Sequence, residues 1–281
     1  MQKTKPLLIC DFDGVISDSL HDSYVTSLNT YLLAEKTHSL PLTAPLDPPS
    51  RVFEFEKEQP RLFAEFKRLI PLGNRAEDYF VIWRIIGSGA SGKIRKQPDF
   101  ERIRKEIRRD ALEAFGRNFY SSRRERQETS PDEWASLSPV FEGIPDAVRS
   151  LSARFDPAIA TSKDLRSITI LLKRYGLLPL FRPEFILDKD FSYSKRDHLA
   201  HFHEKFGIPF DRMHFIDDKA LHLVAVRDLG VNGYLALWGY NTPREHRLAL
   251  REGFRLLNLE DFADLRTRSA FQADPNRQFR A

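Results

Sequence analysis

The sequence predicts an α/β fold: a doubly wound parallel sheet, interrupted after its first strand by a large, mostly helical insert. Three observations predict it. From about Pro139 onward, short apolar runs alternate with amphipathic helical stretches. Repeated strand–helix units imply a parallel sheet with helices on both faces. One more apolar run, Leu7–Cys10, stands alone near the start and reads as a strand buried on both faces. Between them, residues 51–127 carry helical spacing and no strand–helix alternation.

The elements follow in order. The first strand runs into Asp11-Phe12-Asp13-Gly14. Side chains two apart in a strand share a side, so Asp11 and Asp13 are expected together where the chain turns at Gly14. Two converging carboxylates repel unless a cation lies between them, and carboxylate, carbonyl and water ligands suit magnesium. Taken alone, an Asp-x-Asp-Gly run is equally a turn or a loose calcium loop, so the rest of the chain must decide. Residues 21–35 place Tyr24, Leu28, Tyr31 and Leu32 on one helical stripe. Residues 40–49, with four prolines, can be neither regular helix nor central strand. Helical stripes follow through Phe53, Leu62, Phe63, Phe66 and Leu69, then Tyr79, Phe80 and Trp83, then Ile103, Ile107, Leu112, Phe115 and Phe119. Beyond Pro139, strands are expected at 157–161, 184–187, 213–217, 231–238 and 254–257. Helices are expected at 164–175, 195–206, 220–229 and 243–251. The expected division is core 1–18, helical cap 19–138, core 139–266 and a polar tail 267–281. The cap joins the core near residues 17–20 and 136–139, two connections expected to form a hinge.

Composition narrows the class. The chain has 281 residues, 41% of them hydrophobic, enough for a proper core. Its single cysteine, Cys10, lies inside the first apolar run and reads as a small buried hydrophobe. It can form no internal disulfide, which fits a reducing cytosol. The few residues before Asp11 are too short for a signal peptide, and no apolar run approaches a membrane span. The expected location is cytoplasmic, with no membrane partner. A net charge of +4 does not by itself argue for nucleic acid. The basic runs at 102–109 and 123–126 are interleaved with acids and read as solvated helix faces, against nucleic-acid binding. His198, His201 and His203 lack a cysteine or acid to complete a metal site and read as the surface of a helix. The stretch 87–93 fits a P-loop through Lys93, but Ile94 stands where that motif needs Ser or Thr. The functional alternative is a cap loop that lays Lys93 and backbone amides over an anionic substrate; the plain one is a solvent-facing link.

Parallel α/β sheets place their sites at the carboxyl ends of strands. Four strand ends here carry complementary groups: Asp11 with Asp13, Thr161-Ser162-Lys163, Lys195 with Lys189 as its rival, and Asp217-Asp218. Thr161 stands at the mouth of a helix N-terminus, where an anion is welcome. A nucleophilic carboxylate, a hydroxyl, a lysine and an acid pair describe a phosphoryl-transfer site. With these stretches, Asp18-Ser19 and Phe141-Glu142-Gly143-Ile144-Pro145, the sequence resembles the haloacid dehalogenase superfamily over roughly residues 5–20 and 139–260.

The resemblance implies a Rossmann-like core with an inserted cap, and it implies roles. Asp11 attacks phosphorus and carries an aspartyl-phosphate, while Asp13 protonates the leaving group and later activates water. Thr161 bonds the phosphoryl oxygens, with Ser162 and Lys93 on the substrate. Lys195 neutralises charge. Asp218 holds Mg2+ with Asp11 and the backbone carbonyl of Asp13, and Asp217 assists. Two departures stand out. His222 occupies the region where the family often has an acid, the next acid being Asp228, and Lys195 lacks its frequent proline partner. The implied function is a magnesium-dependent phosphatase acting on a small phosphorylated metabolite. Asp13 argues against halide chemistry, which needs no acid there. A phosphomutase, a phosphonate hydrolase using Lys93, and a non-catalytic partner-binding protein remain alternatives, with oligomeric state open.

Overall fold

The computed structural model describes residues 5–35, 37–73 and 75–265. The expected polar tail lies outside the described residues. Strands β1 (Leu7–Cys10), β2 (Asp156–Ala160), β3 (Ile186–Leu187), β4 (Met213–Asp217), β5 (Asn232–Ala236) and β6 (Arg255–Leu257) form one six-stranded sheet. Its order is β3-β2-β1-β4-β5-β6, and every pairing is parallel. The chain builds outward from β1 on one side and then crosses to build outward on the other. Ligands of open α/β sheets bind at such a reversal, outside the carboxyl ends. Cys10 pairs with Ile159 on one side and Ile216 on the other, so the next residue along, Asp11, emerges between the ends of β2 and β4.

Alternation along β1 explains its place at the centre. Leu8 and Cys10 pack on one face, with Ile144 and Val148 of α8 (Ile144–Leu151) and Ile168 and Leu172 of α9 (Leu165–Arg174). Phe262 of α13 (Leu259–Ala263) closes that layer. Leu7 and Ile9 pack on the other face, with Leu199 and Phe202 of α10 (Lys195–Phe206), Leu223 of α11 (Ala220–Val224) and Ala249 of α12 (Pro243–Arg251). The helix expected at 220–229 stops at Val224 and resumes only as a 3-10 turn at Arg227–Leu229.

Between β1 and β2 the described chain is helical: α1 (Leu20–Ala34), α2 (Val52–Glu58), α3 (Pro60–Leu69), α4 (Ala76–Gly87), α5 (Gln97–Glu106), α6 (Arg109–Thr129) and α7 (Pro131–Ser136). Tyr24, Phe66 and Trp83 lie at its centre, with ring centroids about 5 Å apart. Helix α1 differs from the one-stripe expectation. It is buried nearly all round, and its polar residues are paired inside: Ser27 accepts from Trp83 Nε1, and Asn29 bonds both backbone groups of Leu46. Buried polar groups persist where they find partners.

The link to the sheet also differs from a bare hinge. The two connectors bond each other: Asp18 N donates to Pro139 O at 2.8 Å, and Phe141 N to Ile16 O at 3.2 Å. Trp134 and Ala135 of α7 pack into the sheet's own apolar layer. Helix α6 bonds α9 through Gln127 to Ser167 at 2.7 Å and Glu128 to Arg166 at 3.1 Å.

Candidate active site

Asp11 follows β1 directly; its N–H donates to Ile216 O, which extends the β1–β4 ladder by one bond. Its carboxylate accepts from Phe12 N at 2.7 Å and faces Lys195 Nζ at 2.9 Å. Lys195 is the first residue of α10 and is buried. Its ammonium also meets Asp217 Oδ2 at 3.2 Å and donates to Ala160 O at 2.6 Å. Burial disfavours the charged lysine, but Asp11 and Asp217 outweigh burial and hold its pKa above the usual value. Lys189 is elsewhere, paired with Asp190 and lying over the Tyr120 ring at 4.9 Å.

Asp13 is half-exposed and anchored from two sides. Lys163 Nζ reaches it at 2.9 Å, and Ser19 Oγ donates to the same oxygen. Lys163 is itself buried. Thr161 ends β2, buried, and accepts from Lys163 N at 3.2 Å. Ser162 is half-buried in the same turn. Two of the amides that open α9 are already taken: Asp164 accepts from Ser167 N and Asp188 from Leu165 N, both at 2.9 Å.

The two acids after β4 have opposite surroundings. Asp217 is filled with donors: Lys195, His222 Nδ1 at 3.0 Å to both oxygens, and Lys219 N at 2.9 Å. Burial would raise its pKa, but His222 and Lys195 outweigh burial and hold the carboxyl well below the usual range. His222 thus occupies the region where the sequence departs from the family pattern. Asp11, Asp217 and His222 converge within 4.8 Å, yet Lys195 already bridges the two acids.

Asp218 accepts from Tyr240 N at 2.8 Å through one oxygen; the other, Oδ1, is buried without a hydrogen-bond partner. Burial first, then Asp217 and Asp11, pushes its carboxyl well above the usual range. Glycines close on it. A Cβ on Gly14, whose φ is +86°, would fall 2.4 Å from Asp218 Oδ2, and one on Gly239 would fall 2.3 Å from Asp218 Cβ. A buried, unpartnered carboxylate oxygen beside a second carboxylate fits a hard divalent cation that takes oxygen ligands.

The helical insert covers this edge of the sheet. Lys219 Nζ donates to Gly73 O, Arg75 lies over the Tyr193 ring at 4.6 Å, and Arg244 donates to Arg95 O at 3.4 Å. Lys93 is exposed in a 3-10 turn, Ser91–Lys93, held through Arg68 and Glu65 on Ser91. No hydrogen bond or ion pair joins the Lys93 side chain to any described residue, and the structure does not bring it to the acid cluster.

Solved structures share this architecture. A haloacid dehalogenase-like family hydrolase from Streptococcus pneumoniae aligns with TM-score 0.59 at 13% identity, over 92% of this chain and 96% of that one. A structure described as a predicted phosphoglycolate phosphatase from Haemophilus somnus aligns with TM-score 0.58 at 18% identity, over 94% and 98%. A predicted phosphatase from Clostridium acetobutylicum aligns with TM-score 0.54 at 13% identity, over 93% and 98%. The fold is that of the haloacid dehalogenase-like hydrolases. Neither a family model nor a curated relative matches the sequence.

Within this haloacid dehalogenase-like fold, the structure gathers Asp11, Asp13, Thr161, Lys195, Asp217 and Asp218 at one edge. Three residues there carried no assignment from the sequence. Lys163 had a signal, a lysine two residues past a strand-end hydroxyl. Ser19 stood in a stretch that carries the resemblance but had no role, and Tyr240 had no signal, since it meets Asp218 from 22 residues away. Two surface assignments are corrected. Arg123, from a basic run read as solvated, is 5% exposed, because it reaches Asp22 inside the fold. His198 is 1% exposed; burial, then Lys195, lowers its pKa to about 4.

Proposed function

We propose that this protein is a magnesium-dependent phosphatase of the haloacid dehalogenase superfamily that hydrolyses a small phosphorylated metabolite through an aspartyl-phosphate. The observation that carries the reading is the Asp11–Lys195 pair at the carboxyl end of β1, with Asp13 anchored by Lys163 two residues on. The phosphatase descriptions attached to the similar folds agree with it.

In this reading an Asp11 oxygen attacks phosphorus, and the bond from phosphorus to the ester oxygen breaks. The leaving alkoxide takes a proton from the Asp13 carboxyl. Asp13 then removes a proton from water, which attacks the phosphorus of the aspartyl-phosphate. The bond to Asp11 breaks, and inorganic phosphate and a free Asp11 carboxylate result. Lys195 offsets negative charge as the carboxylate nears the phosphoryl group, and Thr161 and Ser162 donate to its oxygens. Asp11, Asp218 and the Asp13 carbonyl would hold magnesium, which when bound neutralises phosphoryl charge. Lys163 and Ser19 keep Asp13 in one orientation, so that one side chain serves both proton transfers. Nothing at Lys93 favours the phosphonate alternative.

Asp11→Asn keeps the shape and removes the anionic nucleophile. Turnover across a panel of phosphate esters with magnesium is expected to fall about a thousandfold or more, with the melting temperature retained. Retention of more than about a tenth of the activity overturns the assignment. Beryllium fluoride is expected to bind the unaltered chain and not the Asn variant.

A further inference from the structure

We propose that the cleft between α6 and the turns after β2 and β3 binds a second oxyanion at the far end of the substrate. The proposal rests on the phosphatase reading and narrows it: the favoured esters carry a second phosphate or a carboxylate.

The cleft measures about 440 Å³. Five cations line it: Arg117, Arg123, Arg124, Arg166 and Lys189. Two carboxylates, Asp164 and Asp190, oppose them. The pairing leaves donors over. Arg166 is met by Glu128 at 3.1 Å, and Lys189 by Asp190 at 2.5 Å. Arg123 faces Asp22 at 2.7 Å and Asp164 at 3.9 Å, but its Nε is buried without a hydrogen-bond partner. Arg117 and Arg124 are exposed, and their side chains make no hydrogen bond or ion pair with any described residue.

A buried donor left unpaired is unfavourable, and a ligand that accepts from it removes the penalty. Guanidinium groups bind phosphate and carboxylate through paired N–H donors, so an arginine-lined cleft selects oxyanions over neutral groups. The cleft also lies near the acid cluster. Asp164 lines it and directly follows Lys163, which holds Asp13. The charge of Asp13 acts on Arg123 as well. In this proposal a small dianionic molecule presents one end to Asp11 and the other to the arginines.

The test uses the full chain and the double variant Arg117→Ala/Arg124→Ala; Arg123 is kept, because its loss strands Asp22. We compare kcat/KM for para-nitrophenyl phosphate, fructose 1,6-bisphosphate and 3-phosphoglycerate. The double variant is expected to lose at least about tenfold more on one of the two-anion esters than on para-nitrophenyl phosphate. Loss on the bisphosphate identifies phosphate as the second group, and loss on the phosphoglycerate identifies carboxylate. Equal losses on all three overturn the inference and leave the phosphatase reading standing. Arg117→Lys/Arg124→Lys is expected to recover part of the loss. Calorimetric titration of the same esters without magnesium separates the two readings. If no ester turns over but the double variant weakens bisphosphate binding about tenfold, the phosphatase reading fails and the anion site stands. If neither turnover nor binding responds, the anion site fails.

Discussion

Asp217 and Asp218 are neighbours in the chain with opposite surroundings. Asp217 ends β4 and points into donors, whereas Asp218 turns toward the Gly14 and Gly239 backbone and keeps one oxygen unpaired. In metal-free buffer Asp218 is a buried carboxyl beside two other acids, and burial and those acids disfavour its charged form. Asp218→Ala is expected to melt at an equal or higher temperature there, while the magnesium needed for half-maximal activity rises about tenfold or more. Asp217→Ala leaves Lys195 and His222 without a shared acceptor and is expected to lower the metal-free melting temperature. If Asp217→Ala spares the fold and affects the magnesium response more than Asp218→Ala, the two roles are exchanged.

At the scale of elements, α12 carries a pH-dependent term. Glu245 sits at its third position and accepts from Thr242 N at 3.2 Å in a capping box. Burial raises its carboxyl from 4.5 to about 7, against a lowering by Lys219. Between those two values the folded chain holds a proton that the unfolded chain has released, so this group reduces stability as pH rises through the window. Glu245→Gln keeps the capping acceptor and removes the titration. The stability difference, variant minus unaltered chain, is expected to grow from about pH 4.5 to 7 and then level off, read from urea denaturation at fixed pH. Parallel stability–pH profiles for the two chains would show that burial does not act on Glu245 as described.

Across the whole molecule, the helical insert is tied down as well as connected. Asp22, fully buried at the start of α1, accepts from Thr26 Oγ1 at 2.9 Å and Trp134 Nε1 at 3.1 Å, and faces Arg123 at 2.7 Å. Arg123 also faces Asp164 at the head of α9, so one buried network spans the insert and the sheet. Arg123→Met strands the Asp22 charge and is expected to destabilise the fold by about 3–5 kcal/mol in denaturant titrations. Asp22→Asn/Arg123→Met is expected to recover part of that, because no unpaired charge is left inside. A loss below about 1 kcal/mol for the single variant would mean the pair is solvated and the insert is held by apolar packing alone.

The sequence by itself determined the six strands to within about two residues at each end, because parallel strands buried on both faces are short apolar runs and their helices keep a regular stripe; residues 184 and 185, expected in a strand, lie in a 3-10 turn. It also determined which acids and hydroxyl stand at the strand ends, since strand direction sends successive carboxyl ends to one edge. It left Lys195 and Lys189 to be separated, and only the fold brings Lys195 to Asp11. The tertiary structure alone decided that α1 is buried all round, that Arg123 is inside, that Lys163 and Ser19 hold Asp13, and that Tyr240 meets Asp218. Lys163 and Asp13 are 150 residues apart, and Arg123 and Asp22 are brought together across most of the insert. Periodicity reports a local face toward or away from a core. It carries no record of which distant charge waits there, so a buried arginine reads as a solvated one until the chain closes around it.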